Sequence, residues 1–180
     1  MTRKQPTQIA ADLATRIRGD VFADIIHRVA YSTDASSYRI VPQCVVAPAD
    51  VRDVIAVVRY AADRGLPIVA RGAGSGLAGE SLCSGIVLDM TRYMKGIRRI
   101  DDETVTCGPG VVLDDLNKAL LELGRKIGPD PSSANRATVG ASPPTTRPAH
   151  IRCNMATRRP MWRASRRYCR MAASLNSRTM

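Results

Sequence analysis

Residues 71–79, RGAGSGLAG, come directly after the apolar run LPIVA (66–70) and put four glycines into nine positions. Gly74, Gly76 and Gly79 stand at the G-x-G-x-x-G spacing of dinucleotide-binding loops, so the residues after Gly79 decide the fold. A Rossmann site needs a helix whose N-terminus receives the pyrophosphate, with an acid about 20 residues further on for the ribose. LPIVA supplies the strand and Asp101 an acid. The helix is missing: ESLCSG (80–85) has no apolar stripe, and the apolar IVLDM begins seven residues after Gly79. That is too short for a crossover helix between parallel strands. A nicotinamide site is therefore excluded. Two readings remain open, a structural turn and a string of main-chain amides wrapping an anion without a helix. A turn needs one or two glycines, and the excess favours the anion cradle. Ser75 would add a hydroxyl, and Arg71 either a charge or a surface ion pair.

Upstream, CVV (44–46) reads as a short buried strand ended by Pro48. A helix comes next, with Asp50 as N-cap, Asp53 in the first turn, Val51, Val54, Ile55 and Val58 as its apolar stripe, and Gly65 at its C-terminus. With PIVA (67–70) as the next strand, residues 44–70 form a predicted βαβ unit with parallel strands. Ile9, Leu13, Ile17, Val21, Ile25 and Val29 recur every four residues, which predicts an amphipathic helix over 6–30 in one or two pieces. YSTDASSY (31–38) is a polar, turn-rich connection.

Downstream, IVLDM (86–90) is a predicted strand, and IRRI (97–100) and TVTC (104–107) a predicted hairpin. GPGV is a turn. A helix over 113–123 turns Leu113, Leu116 and Leu120 inward and ends at Gly124. GPDPSS (128–133) is a rigid loop. The expected class is α+β (mixed α/β), a βαβ unit followed by antiparallel strands and a helix.

The chain of 180 residues carries a net charge of +11, which would suit a nucleic-acid binder if evenly spread. Residues 141–180 hold nine arginines with no lysine and no acid, leaving only +2 on residues 1–140. The five cysteines include no C-x-x-C pair and read as reduced thiols. His150, Cys153 and Cys169 are too irregularly spaced for a zinc site, and no metal is expected. No apolar run approaches the roughly 20 residues of a membrane span. The N-terminus is too interrupted by charge for a signal peptide, and Asp12 and Asp20 oppose a transit peptide, so the expected location is cytoplasmic.

Three ordered segments carry a family resemblance: residues 45–79 (VVAPADVRDVIAVVRYAADRGLPIVARGAGSGLAG), 86–120 (IVLDMTRYMKGIRRIDDETVTCGPGVVLDDLNKAL) and 128–140 (GPDPSSANRATVG). Together they resemble the FAD-binding domain of the p-cresol methylhydroxylase/vanillyl-alcohol oxidase (PCMH-type) superfamily. YSTDASSYRIVP (31–42) is similar to its D-lactate dehydrogenase and glycolate oxidase subunit branch. The resemblance covers residues 31–140. It implies that Arg71, Gly72, Ala73, Gly74, Ser75, Gly76 and Leu77 hold the FAD pyrophosphate. Gly110 would lie close to the cofactor, and Pro129, Asp130, Ser132, Ser133, Thr138 and Gly140 would line the flavin side. It further implies a flavin-dependent oxidoreductase of D-2-hydroxy acids whose substrate domain lies beyond residue 140. No catalytic residue is assigned, and the small 2-hydroxy acid is a partner of a full-length form only.

After Gly140 the pattern departs. The family continues with a segment close to GGxxxNNxxGAHSxxYG, where this chain reads ASPPTTRPAHIRCNMA (141–156). Arginine, proline, serine and threonine dominate, and no apolar period of 2 or 3.6 survives. A disordered basic arm is one explanation. A shifted reading frame is the other. When each codon is regrouped as the last base of its predecessor plus its own first two, Ala141 permits Gly, Thr145 and Thr146 permit Asn, and Ala149 permits Gly. His150, Ile151 and Arg152 then permit Ala, His and Ser, while Met155 and Ala156 permit Tyr and Gly. That string is the family continuation. The expected organisation is therefore a helical segment over 1–30, an incomplete FAD-binding domain over 31–140, and a basic, disordered, out-of-frame tail over 141–180. The alternative function is a basic-tailed nucleic-acid-binding or interaction protein, in which the arginines neutralise phosphates without sequence specificity.

Overall fold

A computed structural model describes residues 5–100, 104–127 and 131–141 and the backbone of 150–152. The chain divides into two compact units, Met1–Met94 and Lys95–Met180.

In the first unit the predicted N-terminal helix is two helices separated by a strand: α1 (Pro6–Ala14), β1 (Asp20–Phe22) and α2 (Ile25–Ala30). The four-residue period holds only through Leu13, which is buried with Ile9; Val21 lies in β1. The break has a distant cause. The amides of Arg18 and Gly19 donate to the Asp53 carboxylate at 3.0 and 2.8 Å, and that turns the chain out of the helix. Gly19 is also required by space, since a Cβ there would meet Ala47 O and stand 2.8 Å from Ala49 N.

β2 (Cys44–Ala47) and β4 (Ile86–Asp89) are buried along their whole length, as expected of central strands covered on both faces. Between β2 and β3 (Ile68–Arg71) runs α3 (Val51–Arg64). Asp50 caps α3 by accepting from the amides of Arg52 (2.8 Å) and Asp53 (3.1 Å). At its other end Gly65 turns left-handed (φ 61°), and Leu66 N and Gly65 N bond to Ala61 O and Ala62 O in a Schellman motif. The buried face of α3 is Asp53, Val57, Tyr60 and Ala61, rotated from the predicted stripe, of which Val54 alone packs against the main cluster. Asp53 must point inward to collect its three amides, and that sets the rotation.

The sheet order is β1-β2-β4-β3. β2 and β3 are parallel, as the βαβ pattern predicts, but both pair with β4, which lies between them. β1 adds antiparallel to β2. Ile9, Leu13, Cys44, Val46, Val57, Tyr60, Ala61, Ile86 and Leu88 form the core of this unit.

In the second unit β5 (Ile97–Ile100) and β6 (Thr104–Cys107) form the predicted antiparallel pair. α4 (Leu113–Leu121) buries Leu113, Leu116 and Leu120 as expected and closes at left-handed Gly124 (φ 65°). They pack with Val105, Val111, Ile127, Ala134 and Val139. Within the tail expected to be disordered, β7 (His150–Arg152) pairs antiparallel with β6. A strand edge offers unpaired N–H and C=O groups, and main-chain pairing needs no apolar pattern in the added strand. The rest of the tail lies outside the described residues, apart from Ala141.

Candidate functional site

The expected cofactor residues fall into both units: Arg71–Leu77 in the first, and Gly110, Ser132, Ser133, Thr138 and Gly140 in the second. Pro129 and Asp130 lie outside the described residues.

The glycine loop leaves the C-terminal end of β3, where parallel strands open toward ligands. Arg71 is the last residue of β3 and pairs in register with Asp89 of β4. No helix lies between β3 and β4, in agreement with the exclusion of a Rossmann site. Gly74 and Gly79 have positive φ (67° and 77°), a conformation that only glycine adopts without strain. Beneath Gly74 lies the Arg71 guanidinium, 2.6 Å from where a Cβ would stand. Arg71 Nη1 donates to Thr33 O at 2.8 Å, and the guanidinium lies 5.2 Å from the centre of the Tyr31 ring. Its charge is thus held under the loop. Gly72, Ser75 and Gly76 are half-buried, Ala73 is exposed, and Leu77 stands out at 79% exposure.

A Cβ on Gly76 would meet the Glu80 carboxylate, whose Oε2 accepts the Ala78 N–H at 3.1 Å. A carboxylate already rests on this loop. Sequence reasoning misses it, although its signal, an acid one residue after the last glycine of the loop, is visible there.

The stretch Tyr31–Tyr38 carries part of the family resemblance in the sequence, but its side-chain links are visible only in the structure. Tyr31 Oη donates to the buried Asp89 carboxylate at 2.7 Å, and Asp89 Oδ1 in turn accepts from Thr91 N and Oγ1. Burial first, then the Asp89 hydrogen bond, pushes the Tyr31 phenol up to about 12. Asp34 accepts from Ser36 N (2.9 Å), Ser36 Oγ (2.5 Å) and Ser81 Oγ (2.8 Å). Burial raises the Asp34 pKa, but the hydrogen bonds of Ser36 and Ser81 and the charge of Arg71 outweigh it, so the net shift is downward.

In the second unit the main chain does the fixing. Val139 N donates to Val111 O, Gly140 N to Pro109 O, Leu113 N to Ala137 O and Asp114 N to Ala134 O, at 2.8–3.1 Å. Gly110 is buried between these bonds. A Cβ on Gly140 would stand 2.6 Å from Pro109 Cβ and 2.8 Å from its carbonyl oxygen, so the close approach of the two segments requires glycine. Ser132 is exposed and Ser133 half-buried, with Ser133 O accepting from Arg136 and Ala137 N. Thr138 is buried at 1% exposure, and its Oγ1 is a buried side-chain atom without a hydrogen-bond partner among the described residues. Leaving such a group unmet costs about 1–3 kcal/mol, so the Thr138 hydroxyl is open to a further hydrogen bond. Each segment taken by itself fits part of a dinucleotide: in the first unit a loop that needs glycine at 74 and 79 over a held guanidinium, and in the second a buried hydroxyl open to a hydrogen bond.

Groups of three or more potential metal ligands do not occur among the described residues, and no described helix is long and apolar enough to cross a membrane. His150, Cys153 and Cys169 fall outside the described side chains.

A mixed sheet whose glycine loop leads into no helix sets this chain apart from the Rossmann class, and sequence comparison supplies the class it belongs to. The FAD binding domain family matches residues 42–150, more than half of the chain, and the chain belongs to that family, whose cofactor is FAD. It is 39% identical over 128 residues to the D-2-hydroxyglutarate dehydrogenase of Pseudomonas putida, covering 68% of this chain and 13% of that enzyme. It is 34% identical over 120 residues to the glycolate oxidase subunit GlcD of Bacillus subtilis, covering 64% of this chain and 25% of the subunit. Among solved structures, an alkyldihydroxyacetonephosphate synthase shares the fold with a TM-score of 0.65 at 23% identity, over 76% of this chain and 28% of that one. The chain thus spans about an eighth to a quarter of the length of these curated relatives.

Proposed function

We propose that this chain is the FAD-holding part of a flavin-dependent oxidoreductase of D-2-hydroxy acids, and that by itself it does not turn over substrate. The observation that carries the reading is the glycine loop over the Arg71 guanidinium, within a chain matched to the FAD binding domain family. Arg71–Leu77 would hold the pyrophosphate through main-chain amides and the charge held beneath them. Gly110, Pro129, Asp130, Ser132, Ser133, Thr138 and Gly140 would line the flavin side, with the Thr138 hydroxyl finding there the partner it lacks. Bound FAD would supply the acceptor for a hydride leaving the substrate carbon. The D-2-hydroxy acid class rests on the relatives' names, and the groups that bind and deprotonate substrate would belong to parts of those longer proteins that this chain does not span. Cytoplasm is the proposed location, where free thiols such as Cys44, Cys83 and Cys107 persist.

Titrating the purified chain with FAD, monitored by quenching of flavin fluorescence, tests the reading. Weak, saturable binding is expected, without oxidation of D-lactate, glycolate or D-2-hydroxyglutarate. Binding of NADH in preference to FAD would overturn the cofactor, and turnover would overturn the assignment of the chemistry to other segments.

The same proposal includes residues 141–180 as out-of-frame translation, supported by the regrouping that restores the family continuation. Nucleotide sequencing across codon 140 decides it, and an intact frame encoding the arginine-rich tail would sink the idea.

A further inference from the structure

The matched family region begins at residue 42, yet the glycine loop is held by residues that precede it. Thr33 pairs with Arg39 across an isolated antiparallel bridge, which closes the intervening residues into a loop of their own. From that loop four contacts reach the glycine loop and its flanks. Thr33 O accepts from Arg71 Nη1 at the start, and Ala35 N donates to Gly74 O at 3.0 Å near the middle. Asp34 Oδ2 accepts from Ser81 Oγ at 2.8 Å at the end. A Cβ on Gly79 would stand 2.9 Å from the Tyr38 ring and 3.5 Å from Ser36 Oγ, so the Tyr38 ring leaves no room there for a side chain. One carboxylate joins both halves of the arrangement. Asp34 Oδ1 fixes the strap by accepting from Ser36 N and Oγ, while Oδ2 fixes the loop through Ser81.

We infer that Asp34 is a positioning residue for the anion loop, acting through Ser36 and Ser81 to hold Gly74–Gly79 in the conformation that receives a phosphate. The role is geometric. An asparagine keeps one acceptor oxygen for Ser36 and offers an amide that the Ser81 hydroxyl accepts from, so Asp34→Asn retains the clamp while removing the charge. Asp34→Ala removes both links, and Ser81→Ala removes only the link to the loop.

The inference rests on the FAD reading for its ligand but not for its geometry, so the experiment has two arms on the full chain. In the first, hydrogen exchange is measured without ligand. Asp34→Ala is expected to speed exchange of amides in 72–81 about tenfold, the loss of one hydrogen bond to a charged acceptor. Exchange in β2 and β4 is expected to hold, and Asp34→Asn to restore wild-type rates. In the second arm, FAD titration is expected to weaken about tenfold in Asp34→Ala and to recover in Asp34→Asn, with Ser81→Ala between them. Unchanged loop exchange in Asp34→Ala and Ser81→Ala overturns the inference. So does a loss of protection that Asp34→Asn fails to restore, which would mean that charge rather than geometry is at work. Faster loop exchange in a chain whose wild type binds no FAD supports the positioning role and removes the FAD reading alone. Should Asp34→Ala not fold, Ser81→Ala carries both arms.

Discussion

The two segments proposed to hold FAD are themselves held by different means. In the first unit, carboxylates do the holding: Asp34 on the strap, Asp53 on the Arg18–Gly19 turn and Asp89 at the end of β4 each accept from groups far away or across a turn. In the second unit, residues 131–141 are fixed by main-chain bonds to 109–114, over a core of leucines and valines. Carboxylate links respond to pH and to single side-chain substitutions. Main-chain links over an apolar core respond mainly to changes in packing.

Packing is where the comparison can be broken most forcefully. Leu116 is fully buried in the second core, and Leu116→Ala is expected to destabilise that unit by about 2–5 kcal/mol. Denaturant unfolding read by amide exchange at Val105 and Val139 measures it. A loss below about 1 kcal/mol would show that the main chain holds this segment without its core.

Acid separates the units next. Burial raises the Asp53 pKa, but its hydrogen bonds from the amides of Arg18, Ala49 and Gly19 outweigh burial and hold the carboxyl below its ordinary range. A carboxyl with a depressed folded pKa contributes stability that is present above its unfolded pKa and lost as pH falls through the folded value. Protection at Arg18, Gly19 and Ala49 is therefore expected to hold at pH 6, to weaken only below about pH 4 and to be lost as pH falls through the depressed folded value, while Val139 and Gly140 stay protected. Asp53→Ala is expected to bring the same loss to neutral pH, about 1–3 kcal/mol for stranded amides. Equal acid sensitivity at Gly140 would erase the distinction.

Thr138→Val sharpens it further. A valine removes a hydroxyl that makes no bond, so the melting temperature is expected to hold or rise, within about 1 kcal/mol of stability. FAD affinity is expected to fall severalfold. Stability lost together with affinity would give the hydroxyl a structural role.

The smallest effect belongs to Glu80. Its carboxylate lies on the loop proposed to receive phosphate, and Glu80→Gln is expected to tighten FAD about threefold, less at high salt. Weaker binding would make Glu80 a loop-stabilising group instead of a competing anion.

Much of this architecture is legible in the sequence because its signals are local. Asp50 and Gly65 mark the ends of α3, the run CVVA marks a central strand, and the missing stripe in ESLCSG excludes a helix after the glycines. The failures share one cause. The apolar period places the stripe of α3 one face away because Asp53, which reads as a first-turn charge, is turned inward by amides that belong to another part of the chain. The helix over 6–30 reads too long for the same reason, seen from the other partner. YSTDASSY reads as a polar connection, and nothing in those eight residues states that Ser81 will complete Asp34.

Sequence alone determined which segments are helix, strand and glycine loop, because caps, periods and positive-φ glycines act within a few residues. It also determined the family, through ordered motifs. Tertiary structure alone decided that β4 separates β2 from β3, that Asp53 stitches α3 to the Arg18–Gly19 turn, and that the Thr33–Arg39 segment bonds to the glycine loop. Those side-chain contacts join residues 34 to 47 positions apart, across distances where no local period carries a signal and where only the packed sheet brings donor to acceptor.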